Sequence, residues 1–108
     1  MRVLGNSTKE DGSGLNGHDR LMYGENTATR SYEDVIHWIT AYTELLAFKD
    51  RLLIDMERGI ELLSKPAELE IRELDVTLIV KQRERYNGRL DYWRGRQTEM
   101  RRTPEKLA

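Results

Sequence analysis

Between Ser31 and Ser64, apolar residues recur mostly in three- and four-residue steps: Tyr32, Val35, Trp38, Ile39, Tyr42, Leu45, Leu46, Leu52, Leu53, Met56, Ile60 and Leu63. That spacing puts them on one side of an α-helix and predicts about 33 helical residues, roughly 50 Å of rod. Ser31-x-x-Asp34 opens the segment like a capping box, and Glu33 and Asp34 complement the positive end of the helix dipole. Neither of the two prolines interrupts Ser31 to Lys65. A rod this long, apolar along its whole length, needs a second element of matching length to cover it.

The rest of the chain supplies one. Ser64-Lys65-Pro66 reads as a turn, with proline in the first turn of the next helix, where its missing N–H costs nothing. The second helix is expected over residues 66–102, with a seam of Leu69, Val76, Ile79, Val80, Tyr86, Leu90, Trp93 and Met100. Val76 to Val80 is rich in β-branched residues and would read as a strand in isolation. A lone strand among long helices has nothing to pair with, so helix is the reading. Asn87-Gly88 is a second point of tension, because glycine there would suit a helix C-terminus and split the segment. The fold class is therefore all-α: a long antiparallel hairpin over residues 31–103, pairing into a four-helix bundle.

Residues 1–30 contrast with this. They hold five of the eight glycines and show neither helical nor strand periodicity. A segment with so little apolar surface is expected to be a flexible tail, relieved only by the cluster Leu21-Met22-Tyr23.

Charge is segregated although the net is only −1. Ser31 to Ser64 carries three basic and seven acidic residues, whereas Lys81 to Arg102 carries eight basic and three acidic. In an antiparallel hairpin the basic end of the second helix lies beside the acidic start of the first. Pairs of Glu33, Asp34 or Glu44 with Arg94, Arg96, Arg101 or Arg102 are thus expected to set direction and register rather than stability. Arg83, which falls on the apolar seam, is expected to snorkel or pair with an acid.

Composition narrows the function. Hydrophobic residues are 38% and charged residues 34%, a balance suited to surface-rich helices rather than a deep core. No apolar run approaches the roughly 20 residues of a bilayer span. Cysteine is absent and no apolar stretch follows Met1 to Gly5, which together point to a reducing, cytoplasmic setting. No serine or cysteine nucleophile stands with a histidine, and no glycine-rich phosphate loop precedes a helix. Asp34-x-x-His37 would need a second copy and two further inward glutamates to hold a metal pair. Neither enzyme activity nor a cofactor, metal or small-molecule substrate is expected. Trp93-Arg94-Gly95 spells the W-x-G turn of small secreted helical hairpins, but it lies far down the second helix while the turn is at Lys65-Pro66, so it assigns no family.

What remains is surface. The first helix carries more apolar area than one neighbour can cover, since Trp38, Leu45 and Leu52 run beside Leu46 and Leu53, with Tyr42 and Met56 flanking them. These seven residues are the expected protein interface, and a homodimer of hairpins or a protein partner is the expected occupant. The function expected is an adaptor, regulator or accessory subunit of a larger assembly. The alternative is nucleic-acid binding by Lys81, Arg85, Arg89 and Arg96, which share a face with aromatic residues interleaved.

Overall fold

A computed structural model describes residues 20–102, which form a helical hairpin crossed at its open end by an extended N-terminal strap. Helix α1 runs Tyr32–Ile60. Ser31 caps it, its Oγ accepting from the Asp34 N–H at 3.2 Å. Its end comes four residues earlier than the pattern suggests. The N–H groups of Leu62 and Leu63 turn back to the carbonyls of Gly59 and Ile60, which tightens the chain into the turn and leaves Leu63 exposed.

Ser64 precedes α2, Lys65–Ile71. A single wider turn, a π-helical stretch at Arg72–Val76, then leads into α3, Thr77–Arg102. The β-branched stretch is helical, and α3 runs through Asn87 and Gly88 without a break. No strand occurs among the described residues. The π turn carries one more residue than an α turn, so it shifts the helical phase. The shift separates the phase of Leu69, before it, from the buried face of α3, and Leu69 is exposed. Val80, also of the expected seam, is exposed because Ile79 rather than Val80 shares a face with Tyr86, Leu90 and Trp93.

The core lies at the open end of the hairpin. Val35 and Tyr42 of α1 pack with Tyr86, Leu90, Trp93 and Met100 of α3, and Trp38, Ile39, Leu45 and Leu46 close around them. On the face away from the strap, two ion pairs tie the helices together. Arg83 Nε lies 2.6 Å from Asp50 Oδ1, and Arg72 spans Glu57 with two hydrogen bonds of 2.8 and 2.9 Å. The arginines near the C-terminus of α3 take other partners than the expected acids. Arg96 binds strap carbonyls, Arg101 donates to the Tyr32 hydroxyl, and Asp34 accepts from Thr29 Oγ1. The described chain measures 60 × 34 × 16 Å, about one helix pair thick.

Candidate interaction face

The strap, residues 20–31, includes the part of the expected 1–30 tail that the structure describes. Residues 1–19 lie outside the described residues. Two consecutive turns shape the strap. The first closes through Glu25 N–H to Met22 O at 3.0 Å, with Gly24 at φ +84°, a left-handed conformation that glycine adopts freely. Asn26 builds the second, its Oδ1 accepting from the Ala28 N–H and its carbonyl from the Thr29 N–H.

Glu25 fixes this segment to both helices. One carboxylate oxygen accepts from the Tyr42 hydroxyl at 2.6 Å and from the Met22 N–H at 2.9 Å. The other accepts from Trp93 Nε1 at 2.6 Å and from Arg89 Nη2 at 3.0 Å. The carboxylate side chain is fully enclosed. Burial alone pushes such a group toward its neutral form, but the donors from Tyr42, Met22, Trp93 and Arg89 outweigh it and hold Glu25 below the usual carboxylate range. Tyr42 moves the other way, because burial and the adjacent carboxylate both oppose its ionisation. Arg96 adds a second attachment, donating to the carbonyls of Thr27 and Thr29 at 2.5 Å each, while the Tyr92 hydroxyl donates to Thr27 O at 3.1 Å.

These contacts divide one broad face of the hairpin into unlike halves. Ala41, Leu45, Phe48, Leu52 and Met56 follow one another in steps of three and four, a single stripe along α1. Toward the open end the strap lies on this face, and Met22 joins Ala41, Leu45 and Phe48 around a shallow groove of about 500 Å³, rimmed by Glu44 and Arg51. Toward the turn nothing of the described chain covers it. There Leu52 and Met56 face Leu74, Leu78 and Ile79 across a second groove of about 530 Å³, with Asp75 at its edge. Phe48, Leu74 and Leu78 are each more than half exposed.

The residues expected at an interface therefore separate. Tyr42 is fully buried inside the hairpin, and Trp38, Leu45 and Leu46 are half-buried against the same core. Of the seven, Leu52, Leu53 and Met56 lie in the turn half, and Leu52 and Met56 line its groove. Sequence periodicity missed Phe48, Leu74 and Leu78. Phe48 lies at helical spacing from Leu45 and Leu52, a signal in the sequence that places it on their face, whereas the π turn conceals the phase of Leu74 relative to Leu78.

The four basic residues considered for nucleic acid separate as well. Lys81 is exposed. Arg85 is half-buried, its guanidinium 4.9 Å from the centre of the Tyr86 ring. Arg89 is buried on Glu25 and over Tyr92, and Arg96 is spent on two carbonyls. Half of the basic stripe thus holds the strap instead of facing outward. Among the described residues no three His, Asp or Glu side chains converge as metal ligands, and no helix is long and apolar enough to cross a membrane. His37 packs edge-on against the Trp38 ring at 4.7 Å. No family model, curated protein or solved structure matches the chain.

Proposed function

We propose that this chain is a small, non-enzymatic protein–protein interaction module of the cytoplasm. In this reading the hairpin pairs with a second helical pair into a four-helix bundle, as an adaptor, regulator or accessory subunit of a larger assembly. The open half of the strap-bearing face carries the reading. Contiguous apolar area of this kind, bordered by charges, is a mark of interaction surfaces in soluble proteins. Phe48, Leu74 and Leu78 contribute little to the hairpin's own core, and a partner that covers them accounts for large apolar side chains at such exposed positions.

The test is capture by the immobilised full chain from its native source, compared with Leu74→Glu/Leu78→Glu. Both positions are more than half exposed, so the double variant is expected to fold. Retention of a protein, whether another copy or a different chain, by the parent and not by the variant supports the module. Equal retention by both, or none by either, overturns it.

A further inference from the structure

The geometry points to a second copy of this chain as the occupant of the open groove, related by a two-fold axis at Phe48 so that each strap seats in the other copy's groove. This rests on the interaction-module reading and deepens it by naming the partner and its register.

Three observations converge on that axis. The first is shape. The strap covers the face at the level of Ala41 to Leu45, three to seven residues before Phe48, and the open groove lies at Leu52 to Met56, four to eight residues after it. A two-fold rotation about Phe48, perpendicular to α1, therefore lays the raised half of each copy over the hollow half of the other.

The second is chemistry at the strap's outer edge. Tyr23, at the tip of the first turn, is 102% exposed and neighbours Leu21, itself 39% exposed. An apolar turn held rigidly in water by Glu25 is a ligand without a receptor in its own chain. The groove lined by Leu52, Met56, Leu74 and Leu78 is a receptor without a ligand. Arg20, beside Leu21, has its complement in Asp75 at the groove edge.

The third is charge along α1. Glu44 lies four residues before Phe48 and Arg51 three after it, on the same rim of the stripe. With about 1.5 Å of rise per residue, the rotation brings the partner's Arg51 within about 1.5 Å of the level of Glu44 and, by symmetry, does the same for the reciprocal pair. An isologous contact requires such self-complementarity. A face of 60 × 34 Å is ample for the roughly 800 Å² per partner that stable dimers bury.

The chain contains no cysteine, which makes a direct test available. Two single variants, Tyr23→Cys and Leu78→Cys, are mixed and oxidised, both substitutions being on exposed side chains. Tyr23→Cys with Leu78→Cys is expected to give a disulfide-linked heterodimer in preference to either homodimer. In parallel, light scattering across a concentration series is expected to show a dimer. Glu44→Arg or Arg51→Glu alone weakens it at least tenfold, and Glu44→Arg/Arg51→Glu together restore it. A monomer at all concentrations overturns the proposal, and so does a dimer that neither cross-links in this way nor responds to the charge exchanges. Those results leave the broader module reading to its own capture experiment, in which a different protein held by the Leu74/Leu78 surface would sustain it.

Discussion

Substituting Glu25 by alanine removes the acceptor of four donors at once and leaves the Arg89 guanidinium buried beside an empty space. Breaking a buried charge pair from one side costs about 3–5 kcal/mol, and urea unfolding of Glu25→Ala should show a loss of that size. Tyr42→Phe keeps the ring in place and deletes one donor to a charged acceptor, for an expected loss of about 1.5–3 kcal/mol by the same measurement. The acid response follows from the depressed Glu25 pKa. Its folded value lies below the ordinary 4.5, so its contribution is complete above that pH and is lost as pH falls through the folded value. Urea midpoints should thus hold level near neutrality and fall in acid below about pH 4.5, with a smaller fall in Glu25→Gln. None of this was legible in the sequence. A single glutamate among glycine, asparagine and threonine carries no periodicity, and its partners Tyr42, Arg89 and Trp93 lie 17, 64 and 68 residues away.

Helices were the legible level. Ser31, Glu33 and Asp34 mark the start of α1 by local chemistry, and Val35, Tyr42 and Ile60 keep the spacing that buries them. Signals that compete with helix were harder to weigh, because their outcome depends on tertiary contacts. Asn87-Gly88 offers a stop, yet Tyr86, Leu90 and Trp93 are buried on either side of it and hold the helix through the glycine. A Cβ built at Gly88 or at Gly95 meets nothing within 4 Å. Gly88→Ala and Gly95→Ala should therefore each stabilise α3, by up to about 1 kcal/mol, read as a rise in urea midpoint. A break at residue 88 would reverse the sign for Gly88→Ala. The π turn at Arg72–Val76 had no signature that periodicity could detect, since it consists of one additional residue within an otherwise helical run.

The whole molecule is polarised along its length. At the open end three layers of chain enclose Trp93, Tyr42 and Val35 completely, whereas at the turn two helices share a thin seam and leave Leu62, Leu69, Leu74 and Leu78 more than half exposed. Local opening is cheapest where buried apolar contacts are fewest. Amide hydrogen exchange should accordingly be slow from Val35 to Leu46 and from Tyr86 to Met100, and faster near Met56 and Leu74. If a second copy covers the turn half, protection there should rise with protein concentration while the open end stays unchanged. The sequence showed that α1 had surplus apolar surface but not which part. Trp38, Tyr42, Leu45 and Leu46 are drawn inward by the strap and α3, and only the structure reveals that the surplus grows from Phe48 toward the turn.

The long reach of the Glu25 contacts also sets a timetable. During synthesis Glu25 emerges 68 residues ahead of Trp93, a lag of about 3–14 s at ordinary elongation rates. Until Trp93 and Arg96 have left the ribosome, the strap lacks most of its fastenings and its apolar turn has no anchor on α3. Protease cleavage at Arg20 or Arg30 in stalled nascent chains should be rapid before α3 is complete and slow afterwards. The strap, although it precedes both helices in the chain, is thus the last part of the fold whose partners are made, because Arg89, Trp93 and Arg96 come late in α3.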